Sequence, residues 1–432
     1  MKLNSVASIA FLGQTIKLIS GPAVLLVLSK ELSSAQMAIY FTFFSLIAVQ
    51  QILEMGLGFT IKQFIAHSYK TKDNIWTLES KEIVKGYLSF SLRWYFVISL
   101  FVLIFIGGFG LYFFTDNGTN IEWKLPWILV ILLTAFFVNF IPYQFLIDGC
   151  QDQKTLYKAR LVSSTINASS LMISLSLDFE LYSLVISIFL SNLSLYLLLF
   201  IQLKSKYCCL SKARSRYNMK TVFNKVWPML SKLSVTWIFG YFFWNAFNLI
   251  AIKMLNINTA GKLAFTLSLA LAGYNISSVI INSQTTVFSQ LISNGNASQA
   301  VKDFNKSNHV SIAIIILGYV SFLFFYLKFD EFYFFEKVLP TNYVIPIFIY
   351  FTLLLPIVNQ ANFARCYKKE PYFTFSLCLN ISVPLVFLII CVLTNEPAFV
   401  YLLPLSVVFL IWSKFIFDRT ILKGVDKATI QP

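Results

Sequence analysis

Five charged side chains fall inside, or at the ends of, apolar helix-length runs: Lys17, Glu54, Lys62, Arg93 and Lys232. A charge in hydrocarbon is expensive, so each must face a bundle interior, a wet cavity or a counter-ion, or else snorkel to a headgroup layer. Glu54 is the sharpest case. It lies roughly fifteen residues into the run that starts near Ala38, too deep to reach the far headgroup layer easily. Its carboxylate can pair with a cation, or bind and release a coupling ion. Lys17 sits mid-run in AFLGQTIKLISGPAV, with Gln14 a turn before it and Gly21-Pro22 a turn after. Either Lys17 and Glu54 form a structural pair, or they are cavity charges that touch a substrate or coupling ion, and the two readings are compatible. Arg93 and Lys232 lie near the starts of their runs, where snorkelling to the headgroups is the simplest role. Turned inward, they would make a basic vestibule that attracts an anion. Gly56 and Gly58 permit a close helix approach or a bend, Pro22 a kink, and Lys62 and His67 mark arrival at a polar surface.

The elements that must position these groups follow from composition. Of the 432 residues 57% are hydrophobic and only 12% charged, which no soluble surface tolerates. Apolar runs of about 20 residues recur from end to end, the length that crosses roughly 30 Å of hydrocarbon as helix. Lipid offers no partners to backbone amides, and the ten-residue alternation of a barrel is absent, so the spans are helices. Twelve are expected: 5–28, 37–62, 88–114, 125–147, 161–177, 181–203, 229–252, 263–283, 309–328, 342–363, 373–393 and 398–417. The fifth is the weakest, being short and rich in Ser and Asn. The first run carries Lys17 and no small-residue cleavage site, so it reads as a retained helix rather than a signal peptide.

With the N-terminus in the cytoplasm, Lys30, Lys124, Lys253, Lys262, Lys328 and Lys337 are the basic residues on the opposite side, and Lys17 and Lys232 remain within spans. All others of the 34 Lys and Arg fall on or near the cytoplasmic side. That asymmetry puts both termini in the cytoplasm and explains the net charge of +15 without nucleic acid. The expected organisation is a six-helix bundle over 1–203, a basic cytoplasmic linker over 204–228, and a second six-helix bundle with a short tail over 229–432. The linker's simplest role is an anchor against anionic lipid. Six spans plus six suggest an internal repeat of the transporter kind, although no residue-by-residue similarity between the halves is visible.

No GxSxG, P-loop or HExxH occurs, and His67 and His309 are far apart, so an enzyme is not expected. The cysteines Cys150, Cys208, Cys209, Cys366, Cys378 and Cys391 show neither metal spacing nor a disulfide framework. Amides within spans, among them Asn139, Asn167, Asn359, Asn362, Gln144 and Gln360, are most simply interhelical hydrogen bonds. They could also line a path for a hydroxyl-rich substrate, and Trp237, Tyr241, Trp244 and Tyr274 could stack on sugar rings.

Three segments carry a family resemblance: EMGLGFTIKQFIAH (Glu54–His67), LIDGCQDQKTLYKAR (Leu146–Arg160) and WPMLSKLSVTWIFGYFFWN (Trp227–Asn245). Together with length and the six-plus-six division, they resemble the Wzx-type polysaccharide flippases of the multidrug/oligosaccharidyl-lipid/polysaccharide (MOP) exporter superfamily. The resemblance implies an all-α, MATE-like fold of two helix bundles in a V around a central cavity, often with a basic lining. It implies movement of undecaprenyl-diphosphate-linked O-antigen repeat units from the cytoplasmic to the periplasmic leaflet of the bacterial inner membrane, by alternating access. Carried onto this chain, Lys17, Glu54, Lys62, Arg93 and Lys232 are the transport candidates, and Gly56, Gly58 and Pro22 the packing or gating candidates. No cofactor or metal is implied beyond a proton or sodium gradient, with Glu54 the preferred titratable group. The implied partners are the lipid-linked oligosaccharide, inner-membrane lipids, and the O-antigen polymerase and chain-length regulator. Basic residues are sparse in spans 8 to 11, which places the positive charge in the first bundle.

A related multidrug exporter would share this architecture and bind cationic drugs through exposed acids. An O-antigen polymerase usually carries a large periplasmic loop, and a membrane-embedded glycosyltransferase needs acids near a membrane rim. Asp148 and Asp152 offer the latter, but read most simply as a solvated turn. A structural scaffold would leave the charges within spans without a purpose.

Overall fold

The computed structural model describes residues 6–72, 75–115, 121–211, 215–329, 331–367 and 370–422. Helices dominate it, as they must where lipid offers the backbone no hydrogen bonds. The first half comprises α1 (Val6–Glu31), α2 (Ser34–Ile47), α3 (Gln50–Glu54), α4 (Leu57–Ser68), α5 (Leu78–Phe101), α6 (Gly107–Phe114), α7 (Lys124–Val138), α8 (Ile141–Gly149), α9 (Gln153–Ser176), α10 (Tyr182–Lys206) and α11 (Cys208–Ser211). The second comprises α12 (Met219–Met254), α13 (Ile257–Ser293), α14 (Ala297–Lys328), α15 (Tyr333–Glu336), α16 (Thr341–Arg365), α17 (Phe373–Thr394) and α18 (Leu403–Phe417). A π-type turn, Val102–Ile106, joins α5 to α6. One small antiparallel ribbon pairs β1 (Thr71–Lys72) with β2 (Ile75–Trp76).

Each expected span falls on a long helical segment of its own. Among the described residues nine of these are long and apolar enough to cross a membrane; α1, α9 and α12 are also long, at 26, 24 and 36 residues. The weak fifth span is thus one continuous helix, α9, which packs along α10 and α1. Its hydroxyls and amide are used between helices: Ser163 Oγ donates to the Ser191 carbonyl at 2.8 Å, and Asn167 Nδ2 donates to Ser191 Oγ at 3.3 Å.

Several helices outrun their expected bounds. α5 begins at Leu78, not near 88, and α12, α13 and α14 each extend by about ten residues at one or both ends. Apolar run length reports only the hydrocarbon-embedded part of a helix, whereas polar helix formers such as Glu79, Lys81, Glu82 and Lys85 continue the same backbone ladder into water. The second span breaks into α2, α3 and α4, and the fourth breaks between α7 and α8 just before Pro142, which occupies the first turn of α8.

The chain groups into two compact units, Met1–Leu32 with Thr42–Tyr241, and Ser33–Phe41 with Phe242–Pro432. The segment after α10 belongs to the first unit because it folds back on α5. Arg216 donates to Glu79 Oε1 at 2.7 Å, its backbone N–H reaches the Glu82 carbonyl at 3.2 Å, and the Tyr217 ring meets Tyr87. In the first unit, Trp127, Phe114 and Phe43 form a buried aromatic centre, with Trp127 Nε1 donating to the Gly107 carbonyl at 3.0 Å. In the second, Phe304 stacks on Phe363 beside Phe288 and Phe417, and Tyr319 stacks on Phe348. Large apolar side chains such as Phe96, Phe105, Phe200, Phe324 and Leu393 point outward, as lipid-facing residues do.

Close approach in the second unit depends on Gly261 of α13, whose missing side chain leaves room for the Ser34 carbonyl at the start of α2. Gly261→Ala is expected to destabilise the protein by about 3 kcal/mol, the upper end of overpacking, because the obstructing atom is backbone. The midpoint of thermal unfolding in detergent checks it, with Gly13→Ala, which meets nothing within 4 Å, as the neutral control.

Candidate functional site

The second span is interrupted after Ile47 and again, more sharply, after Glu54. After the five residues of α3, Met55 (φ 51°) and Gly56 (φ 76°) both adopt left-handed backbone, and α4 starts afresh at Leu57. Left-handed backbone at a residue with a side chain costs roughly 1–2 kcal/mol, so the surroundings must hold Met55 in place. They do so from two sides. Gly58 packs directly beneath the Phe145 ring of α8, where any side chain would collide, and Trp94 Nε1 of α5 donates to the Leu53 carbonyl at 3.3 Å, occupying a backbone acceptor released by the break. Gly56 thus lies in the left-handed turn and Gly58 at a close packing contact with α8. The stretch Ser34–Glu54 is 21 residues, roughly 30 Å of helix, about one hydrocarbon thickness. Glu54 is thus the last residue of α3, directly before the left-handed turn.

Around the break a polar network runs through the first unit. Gln50 Nε2 donates to Glu54 Oε1 at 3.2 Å. Tyr95 of α5 approaches the same carboxylate without closing a hydrogen bond, and its hydroxyl and Gln50 Oε1 are both buried without a partner. Tyr196 of α10 lies within electrostatic reach of Glu54 and Tyr95. Its hydroxyl accepts from Gln144 Nε2 at 3.0 Å, and Gln144 Oε1 in turn accepts from Arg160 Nη2 of α9 at 3.1 Å. Five helices thus bring two hydrogen-bonded clusters, Gln50–Glu54 beside Tyr95 and Tyr196–Gln144–Arg160, within electrostatic reach of each other. A broken helix with a titratable group at its end is the arrangement by which membrane transporters hold ions and anionic substrate groups.

The other predicted residues are placed as follows. Arg93 is exposed, pairs with no acid among the described residues, and directly precedes Trp94 and Tyr95, the two residues that touch α3. It therefore stands at the depth of Glu54. It is also fifteen residues into α5, where the sequence had placed it a turn from the start. Lys62 is paired with Asp148, Nζ to Oδ2 at 2.9 Å, tying α4 to α8. Asp148 is accordingly a packed partner rather than part of a solvated turn, its side chain being only 14% exposed. Pro22 is exposed within α1. Lys17 lies in α1 and Lys232 in α12, but their side chains, and with them the expected Lys17–Glu54 pair, lie outside the described residues. Arg160 and the tyrosines Tyr95 and Tyr196 were missed as site residues. Arg160 closes the Leu146–Arg160 segment and counted only as a rim charge, and an aromatic in an apolar run gives no sign that its hydroxyl faces a carboxylate.

The Lys62–Asp148 pair fastens α4, the helix that follows the break, to α8. Lys62→Ala is expected to lower stability by about 1–2 kcal/mol, discounted from a fully buried pair because Lys62 is 38% exposed. The Lys62→Ala, Asp148→Ala double variant recovers part of the loss, read as the unfolding midpoint.

Among the described residues no group of three or more His, Cys, Asp or Glu could hold a metal ion. The amides act largely between helices: Asn139 donates to Ser99 at 2.9 Å, Asn359 to Asn308 at 2.9 Å and Asn362 to Asn282 at 3.0 Å. In the second unit Phe243, Trp244, Phe247 and Tyr350 line a small cavity of about 60 Å³ with Asn248 and Ser268.

Long apolar helices define a multi-pass, all-α membrane protein. Its fold is MATE-like, the one seen in solved MOP-superfamily transporters. A lipid II flippase, MurJ, in an inward closed conformation superposes with a TM-score of 0.65 at 14% identity over 98% of this chain and 90% of that one. A multidrug-resistance MATE transporter in its inward-facing conformation gives 0.63 at 12% identity over 97% and 99%. A MOP-superfamily transporter from Pyrococcus furiosus, described as having a binding pocket of reversed polarity, gives 0.54 at 13% over 95% and 94%. No protein-family model and no curated protein matches the sequence.

Proposed function

We propose that this protein is a flippase of the bacterial inner membrane that carries a diphosphate-linked saccharide lipid, of the O-antigen repeat-unit type, from the cytoplasmic to the periplasmic leaflet. The observation that carries the reading is Arg93: an exposed guanidinium with no acid partner among the described residues, level with the helix break at Glu54. On this reading the break faces the cytoplasmic leaflet, where the diphosphate of a lipid lies, and phosphate oxygens accept charge-assisted, forked hydrogen bonds from guanidinium. Arg160 adds a second cation through Gln144. Glu54, held by Gln50 and faced by Tyr95, is the group that binds and releases a coupling proton or sodium ion as access alternates. The likeness to the MurJ structure supports a lipid-linked substrate as a class.

Multidrug export is the second reading. Most of the solved structures that share this fold are of MATE transporters, and by that weight the comparisons favour it over the saccharide lipid. Local chemistry points the other way, since an organic cation would meet Arg93 and Arg160 beside a carboxylate already bonded to Gln50. Thermal stabilisation of the purified protein separates the two. The flippase reading expects an undecaprenyl-diphosphate-linked saccharide to raise the unfolding midpoint and ethidium to leave it unchanged. Stabilisation by ethidium alone would replace it with drug export.

A further inference from the structure

On the first unit, α5, α7, α8 and α10 enclose an apolar crevice of about 560 Å³, within the range of roughly 300–1,000 Å³ typical of ligand sites. Its walls are almost wholly hydrocarbon and aromatic, among them Leu92, Phe136, Phe140, Leu197 and Phe200. Phe136, Leu197 and Phe200 are 59%, 55% and 63% exposed, so the crevice opens to the surface that faces lipid. Its charged residues are Lys85, near the start of α5, and Lys204, in the last turn of α10, and neither pairs with an acid among the described residues. Because α5 and α10 run in opposite directions, both lysines come to the same end, beside Tyr207. From Lys204 back to Leu193 the crevice follows α10 for roughly 16 Å, a substantial length of one lipid chain.

We propose that this crevice binds a phosphate-bearing lipid of the cytoplasmic leaflet, one chain lying along α10 and the phosphate at the end marked by Lys85 and Lys204. Charge complementarity selects this occupant. A packed protein helix would cover the apolar wall but leave two ammonium groups at its edge, and a polar solute would find few wall groups to hydrogen-bond. Tyr196 forms part of the wall, yet its hydroxyl is already taken by Gln144. The same Tyr196 belongs to the Glu54 network, and its ring lies against Phe137 and Phe140 of the crevice wall. An occupied crevice therefore presses on the side of the site that carries Gln144 and Arg160. The proposal concerns binding alone and stands or falls independently of what the protein transports.

The test uses the full chain in phosphatidylcholine vesicles with two photoreactive lipids that carry a diazirine on the same acyl chain, phosphatidic acid and diacylglycerol. Labelled peptides are mapped by mass spectrometry. The proposal expects phosphatidic acid to label 136–143 and 193–203 roughly tenfold more than diacylglycerol. Lys85→Ala with Lys204→Ala removes that preference, and Leu197→Trp, which fills the crevice from an exposed wall position, lowers labelling by both lipids. Equal labelling by the two lipids in the unaltered protein overturns the proposal. So does a monodisperse double variant that keeps the preference.

Discussion

Arg93→Ala lowers the rate at which the diphosphate-linked lipid crosses the membrane by roughly tenfold to a hundredfold, at unchanged protein abundance. The magnitude follows from losing a hydrogen bond to a charged group, about 1.5–3 kcal/mol, with each 1.4 kcal/mol worth a factor of ten. Abundance is spared because Arg93 is exposed and ties no two helices together. Arg93→Lys keeps the charge and loses the fork, so its rate falls between the two. Leaflet assays on vesicles matched for inserted protein read the effect. A full rate in Arg93→Ala would remove the guanidinium from substrate binding.

Glu54→Gln uncouples transport from the ion gradient. Glutamine keeps the shape and can still meet Gln50 and Tyr95, but it cannot lose or gain a proton and binds sodium weakly. One charge moved through 100 mV is worth about 2.3 kcal/mol, roughly a fortyfold bias in distribution. The variant therefore runs at the rate the unaltered protein shows with its gradient collapsed, and collapsing the gradient has no further effect. Stability stays close to that of the unaltered protein because the Gln50 contact survives. A Glu54→Gln protein that retains full gradient dependence would place coupling elsewhere.

Much of the architecture could be read from the chain because membrane physics leaves few choices. Runs of hydrocarbon length, and lysines and arginines sorted to one side, specify helices and their direction. The break at Glu54 was half legible: an acid followed by Gly56 and Gly58 signals a bend, but not that Met55 would adopt left-handed backbone or that Phe145 would lie against Gly58. What could not be read were pairings between residues distant in sequence. Lys62 has no local acid to announce Asp148, and Trp94 and Tyr95 look like ordinary lipid anchors until α5 is laid against α3. Arg160 reached the site through Gln144, a bridge that no spacing rule encodes.

The measurement that bears most directly on the central claim is leaflet-resolved accumulation of the undecaprenyl-diphosphate-linked repeat unit, in cells lacking this protein and in cells with it restored. The account predicts accumulation in the cytoplasmic leaflet without the protein, relieved by the unaltered chain and not by Arg93→Ala. Equal delivery to the periplasmic leaflet with and without the protein would contradict it and leave drug export as the reading to pursue.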